Sequence, residues 1–153
     1  MTLVPVDAEN EAAVCAIRVS ADQERFVGTV RGALADAAEH PEARPWYRAV
    51  YAAGRPVGFI MLSWDVEPRP PEVIGPWFLW KLLIDESQQG RGHGARVVDE
   101  VAALVRAEGA TELLTSYVEG PGGPAGFYAR LGFVPTGERD VNDEVIVRLD
   151  LHR

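Results

Sequence analysis

The segment Ile84-Asp85-Glu86-Ser87-Gln88-Gln89-Gly90-Arg91-Gly92-His93-Gly94-Ala95 decides the fold. Upstream, Trp77–Asp85 is a nearly continuous apolar run interrupted by Lys81, which predicts a central strand. Downstream, residues 91–108 place Val97, Val98, Val101, Leu104 and Val105 at a helical period, with Asp99, Glu100 and Arg106 between them. The segment therefore joins a buried strand to the N-terminus of the longest helix. Unpaired backbone N–H groups point outward there, and the helix dipole adds partial positive charge. Glycines at 90, 92 and 94 remove the Cβ atoms that would hold an anion away from the backbone. This predicts a phosphate site built without lysine.

The ligand class narrows by exclusion. No Gly-x-x-x-x-Gly-Lys-Ser/Thr occurs, so a P-loop is absent. Gly90-x-Gly92-x-x-Ala95 formally matches the dinucleotide fingerprint, which would make the chain a nucleotide-cofactor oxidoreductase. That fingerprint opens the first of several βαβ units, whereas the chain beyond this helix reads as strand, short helix and hairpin. The dinucleotide reading is the weaker one.

Working outward, Leu3 to Val6 reads as a short extended start, and Asp7 can cap a helix over residues 8–19. Ser20 or Asp22 can cap a second helix to about Ala38, with Phe26, Val27, Val30 and Leu34 on one face. Trp46–Ala53 and Val57–Trp64 form a hairpin around Ala53-Gly54-Arg55-Pro56. Gly109 closes the long helix. Leu113–Val118 is a further strand, Ala125–Leu131 a short helix, and Phe133–Glu138 with Glu144–Leu151 a closing strand pair. The order β-α-α-β-β-β-α-β-α-β-β predicts an α/β (α+β) fold, a mixed sheet of about six or seven strands with helices on both faces. Residues 1–153 read as a single domain, with the proline and glycine clusters at 68–71 and 120–124 as loops inside it.

Composition bounds the partners. With 23 acidic and 15 basic side chains the net charge is −8, which argues against a nucleic-acid binder. The excess is uneven: residues 1–43 hold eight acids against three bases, and a field of that sign favours a cation. No apolar stretch approaches the ~20 residues needed to span a membrane, and no signal peptide is visible. The single cysteine, Cys15, reads as a small buried apolar residue; it excludes an internal disulfide and a Cys-rich metal site. A reducing, cytoplasmic location suits this usage, and no metal is expected.

Read as Gln89-x-x-Gly92-x-Gly94, the loop resembles the acetyl-CoA pyrophosphate loop of the GNAT acetyltransferases, Gln/Arg-x-x-Gly-x-Gly/Ala. Phe127-Tyr128-Ala129-Arg130-Leu131-Gly132-Phe133 resembles the same family's Phe-Tyr-x-x-x-Gly-Phe segment. Two motifs in this order, on a strand–helix and a helix–strand junction, extend the resemblance over essentially the whole chain. Gln23-x-x-Phe26-Val27, Val57-Gly58-Phe59 and the run Leu79–Asp85 resemble bacterial members described as diamine or spermidine/spermine acetyltransferases.

The resemblance implies transfer of an acetyl group from acetyl-CoA, a co-substrate, directly to a primary amine. The strand edge Leu82, Leu83 and Ile84 would hydrogen-bond the pantetheine arm. Gln89, Gly90, Arg91, Gly92, His93, Gly94 and Ala95 would hold the pyrophosphate, and the strand 113–118 would splay to open a slot. Tyr128 aligns with the tyrosine that protonates the departing thiolate, and a phenol near pKa ~10 is protonated at neutral pH. Phe127 and Phe133 read as core. The family's strand glutamate falls here on Trp80 or Lys81, so the base must come from elsewhere: Glu119 first, Asp65 second, or an ordered water. Before the last helix, where many relatives carry asparagine, this chain has Glu119-Gly120-Pro121-Gly122-Gly123-Pro124, another glycine-rich helix start. Trp46, Tyr47, Trp64, Trp77 and Trp80 offer cation–π faces to an alkylammonium. A small polyamine or diamine leads as acceptor, an aminoglycoside-like or peptide amine comes second, and the resemblance leaves a homodimer open. A non-catalytic acyl-CoA-binding module is the alternative of a different class.

Overall fold

Seven strands form one mixed sheet in the computed structural model, which describes residues 1–152. In chain order they are β1 (Thr2–Val4), β2 (Pro45–Ala52), β3 (Arg55–Ser63), β4 (Phe78–Ile84), β5 (Glu112–Tyr117), β6 (Val134–Arg139) and β7 (Val145–Asp150). The helices are α1 (Glu11–Cys15), α2 (Ala21–Val27), α3 (Val30–Glu39), α4 (His93–Ala107) and α5 (Ala125–Arg130). The sheet order is β1-β2-β3-β4-β5-β7-β6, and only β4 and β5 run parallel.

Strand periodicity sorts side chains to two cores. Along β3, Ile60 and Leu62 face α4 and α5, whereas Phe59 and Met61 face α1 and α3; all four are fully buried. Val97, Val98, Val101 and Val105 fix α4 on its face, each contributing roughly 1.5–3 kcal/mol by leaving water. The helix ends in a Schellman arrangement: Gly109 donates to the Arg106 carbonyl and Ala110 to that of Val105, with Gly109 at φ 98°.

The predicted second helix is two helices. Ser20, rather than Asp22, caps α2 in a capping box with Gln23, and Thr29 caps α3 by accepting from Gly32 N–H. Gly28 between them stands at φ 72° and ψ −148°, a backbone that ends a helix and that residues with a Cβ avoid. The first helix is shorter than residues 8–19, because Asp7 and Asn10 knot the preceding turn with side-chain hydrogen bonds. The hairpin turn is Ala53-Gly54, both at positive φ, the geometry two-residue hairpins require. Cys15 is half-buried against the α1/α3 core.

A bulge in β4 shapes the middle of the sheet. Met61 pairs with Lys81 and Leu62 with Leu79, so Trp80 has no partner on β3. The extra residue flips the alternation: Leu79 lies in the α4 core and Leu83, four residues on, in the α1/α3 core. Beyond the bulge β4 leaves β5. Their register covers only Phe78↔Leu114 and Leu79↔Thr115, closed by Leu114 N–H to the Trp77 carbonyl (2.9 Å) and by the buried Thr115 hydroxyl to the Leu79 carbonyl (2.8 Å).

Candidate active site

The divergence of β4 and β5 opens a wedge, and two cavities meet in it. The larger, about 590 Å³, runs from Leu82 and Ile84 to the start of α4 and is bordered by Gly122, Gly123 and Phe127. The smaller, about 390 Å³, lies between Trp80, Lys81, Ser116 and the β6–β7 turn. Phe26, Val27, Leu82, Pro124 and Tyr128 border both.

At the far end of the larger cavity, α4 begins at Gly92, which sits at φ 82° and ψ 9°. No side chain caps this terminus, so the first-turn N–H groups of His93, Gly94 and Ala95 have no partner within the helix. Gly90, also at positive φ, precedes them. His93 is buried at 9% exposure, and its Nδ1 has no hydrogen-bond partner. A Cβ on Gly94 would come within 3.2 Å of the Phe127 ring, so the backbone there lies close against α5. Amide donors, an unpartnered imidazole nitrogen and absent Cβ atoms together fit a diphosphate.

Gln89 holds this loop in place. Its Nε2 donates to the Ile84 carbonyl (2.9 Å) and to Gln23 Oε1 (2.8 Å), and Gln23 Nε2 returns a bond to Gln89 Oε1 (3.0 Å). Helix α2 is thereby fastened over the wedge. On the other side Arg25 donates to the Pro121 carbonyl (3.0 Å), and Phe26 packs on Gly120 and Gly123.

Tyr128 stands where the cavities meet, 8% exposed. Tyr117 stacks on its ring at 6.0 Å and 9°, while Phe127 and Phe133 close it edge-on at 5.1 and 5.3 Å. Burial pushes the phenol up to about 12, opposed by its hydrogen-bonding contact with the Thr115 hydroxyl. It therefore holds its proton throughout the neutral range.

The smaller cavity is acidic. Asp36, Glu42, Glu72, Asp140 and Glu144 border it, against Lys81 and His40. Lys81 Nζ lies 3.8 Å from Asp36 Oδ2, and His40 lies 2.9 Å from Glu42. The His40 contact holds the Glu42 carboxyl below its ordinary value. Burial, with Asp140 adding to it, raises Glu144, opposed by the Ser116 hydroxyl and Lys81.

Most residues singled out from the sequence come together here. Leu82, Ile84, Gln89, Gly90, Gly92, His93, Gly94, Ala95 and Tyr128 all border the larger cavity. Leu83 does not: its side chain is buried in the α1/α3 core. Arg91 is exposed and borders neither cavity. Glu119 and Asp65 are also absent from both; Glu119, 59% exposed, is paired with Arg139 at 2.7 Å. Phe133 is core as expected, whereas Phe127 is half-buried and forms cavity wall. Of the five aromatics considered for a cation, only Trp80 reaches the smaller cavity. Trp46, Trp64 and Trp77 pack on one another in the α4 core, and Tyr47 packs on Phe59. Glu144 was not legible as a site residue, because the β5–β7 pairing that places it joins distant stretches of chain.

Comparison with known proteins agrees with this architecture. The sequence model of the Acetyltransferase (GNAT) family matches residues 6–133. A spermine/spermidine N(1)-acetyltransferase of Bacillus subtilis (strain 168) is 28% identical over 150 residues, covering 95% of each chain. Among solved structures, an aminoglycoside 6'-N-acetyltransferase complexed with coenzyme A superposes with a TM-score of 0.67 at 15% identity, over 100% of this chain and 98% of that one. The PaiA N-acetyltransferase of Thermoplasma acidophilum, in complex with coenzyme A, gives 0.54 at 16% identity over 79% and 71%.

Proposed function

The chain belongs to the GNAT acetyltransferase family, and from that premise we propose that it moves an acetyl group from acetyl-CoA directly onto a small polyamine or diamine. The observation that carries this reading is the position of Tyr128. It forms wall between a cavity ending on free backbone amides and one bordered by carboxylates. A diphosphate-bearing acyl donor and a cationic acceptor would meet at its hydroxyl.

On this reading the α4 amides hold the pyrophosphate of acetyl-CoA, and the Leu82–Ile84 edge, freed from β5 by the bulge, takes the pantetheine arm. The amine enters from the acidic cavity, where Asp36, Glu42 and Glu72 favour a second positive charge on the same molecule. Once neutral, its nitrogen attacks the thioester carbon, the C–N bond forms and the C–S bond breaks. Tyr128, which holds its proton at neutral pH, then donates it to the thiolate. The substrates in the name of the Bacillus relative at 28% identity support the polyamine choice. Among the described residues no helix is long and apolar enough to cross a membrane. One unpaired cysteine suits a cytoplasmic enzyme.

The test is CoA-thiol release from acetyl-CoA across a panel of spermidine, spermine, diamines, an aminoglycoside and a peptide amine. The expected result is highest kcat/KM with the flexible polyamines. Preference for the aminoglycoside would move the assignment to the rigid polycations, and tight acetyl-CoA binding with no thiol release for any amine would make the chain a binding module.

A further inference from the structure

Register places one carboxylate beside the reacting end of the wedge. Tyr117 pairs with Val145 and Ser116 with Ile146, so Glu144, just before β7, lies alongside the open end of β5. The Ser116 hydroxyl donates to Glu144 Oε1 at 3.1 Å. No other side chain among the described residues hydrogen-bonds this carboxylate. It is half-buried and borders the same cavity as Tyr128, Trp80 and Lys81.

The other acids of that cavity are engaged or in open solvent. Asp36 faces Lys81, and Glu42 is held by His40. Asp140 spends Oδ1 on the backbone N–H groups of Asn142 (2.9 Å) and Glu144 (3.0 Å), which fixes the β6–β7 turn. Glu72 is exposed.

We propose that Glu144 is the general base of the transfer, oriented by Ser116 and taking the proton of the acceptor ammonium directly or through one water. This rests on the acetyltransferase reading above and supplies the carboxylate that β4 lacks, since Lys81 and Trp80 occupy that stretch. The balance is simple. The ammonium gives one proton to Glu144, which releases it to solvent after turnover. The neutral amine attacks, and the second proton lost from nitrogen replaces through solvent the one Tyr128 gives to the CoA sulfur.

The charged groups facing Glu144 set its acid limb. Lys81 on β4 lowers its pKa, Asp140 in the adjoining turn raises it, and Asp36, His40, Glu42 and Glu72 border the same cavity. Burial is the largest of these influences, and the carboxyl is held above its ordinary value, the direction that strengthens a base.

The experiment is the pH profile of kcat/KM for spermidine with the purified full chain, wild type against Glu144→Gln and Ser116→Ala. Glu144→Gln keeps the shape and loses the base. Its kcat/KM is expected to fall about 10²-fold or more, with acetyl-CoA KM within about twofold and the acid limb gone. Ser116→Ala is expected to lose about 3- to 10-fold and to shift the limb to higher pH, because a donor to the charged form is removed. A Glu144→Gln enzyme within about threefold of wild type, with its acid limb intact, overturns the assignment. If the wild type acetylates no amine, the acetyltransferase reading fails instead. The base assignment, which rests on that reading, falls with it, whereas an active wild type with an unaffected Glu144→Gln variant overturns the base assignment alone.

Discussion

Gln23 and Gln89 grip each other through both ends of their amides, at 2.8 and 3.0 Å, and so tie α2 to the loop that opens α4. The same Gln23 closes the capping box with Ser20, and the same Gln89 anchors to the Ile84 carbonyl. Two short segments, neither with a large buried face, thereby hold one another over the wedge. Gln89→Ala removes three of these hydrogen bonds. Acetyl-CoA KM is expected to rise about 3- to 10-fold while kcat changes about twofold or less. Steady-state kinetics checks this, and an unchanged KM would mean that α2 is held without the pair.

Gly92 has a left-handed backbone and, in the proposed binding mode, lies beside the pyrophosphate of acetyl-CoA. Asparagine tolerates that backbone and matches aspartate in shape, so the pair Gly92→Asn and Gly92→Asp isolates charge from strain. Gly92→Asp is expected to bind acetyl-CoA at least about tenfold more weakly than Gly92→Asn, measured by calorimetry. Equal affinity would place the pyrophosphate elsewhere.

Tyr128→Phe removes the hydroxyl proposed as proton donor and leaves the aromatic packing. A fall in kcat of about 10²-fold with acetyl-CoA KM little changed is expected, and a rate within about twofold of wild type would exclude the acid role. The raised pKa adds a stability signature. A group whose folded pKa exceeds its unfolded value stabilises fully below the unfolded value, near 10, and loses that contribution as pH climbs through the folded value, about 12. Wild type is expected to lose on the order of 2–3 kcal/mol more than Tyr128→Phe between these limits, followed by urea melts.

Gly58 lies where β3 meets the bulged β4. A Cβ there would stand 2.7 Å from the Leu83 carbonyl oxygen and 2.8 Å from Ile84 Cδ1. Gly58→Ala is expected to cost ~1–3 kcal/mol and to disturb the wedge edge, so that melting temperature and acetyl-CoA affinity fall together. Full affinity in a destabilised variant would uncouple β3 from the site.

How far each feature could be read in the sequence depends on how it is encoded. The α4 terminus is written as glycine positions, and Tyr128 sits in a local helix–strand pattern, so both could be read without tertiary information. The Gly28 break was hidden because Phe26, Val27, Val30 and Leu34 keep a helical period across it, and an isolated glycine is tolerated within such a pattern. The aromatic residues misled for a related reason. Trp46, Trp64 and Trp77 are interchangeable in composition with Trp80, and only the folded chain shows that Trp80 alone of these borders the acidic cavity. Glu144 depends on a pairing between strands separated by a helix and a strand. No local signal marks it, whereas Glu119 looked better placed in sequence and is instead bound to Arg139 on the surface.

The most direct test of the central claim is single-turnover transfer from [acetyl-¹⁴C]CoA, with spermidine present and enzyme in excess. Label is expected to appear on the amine at the rate at which CoA thiol is released, with none retained on the protein. Label that stays with acetyl-CoA through many binding half-lives, or that accumulates on the protein before reaching the amine, would contradict direct transfer in the wedge beside Tyr128.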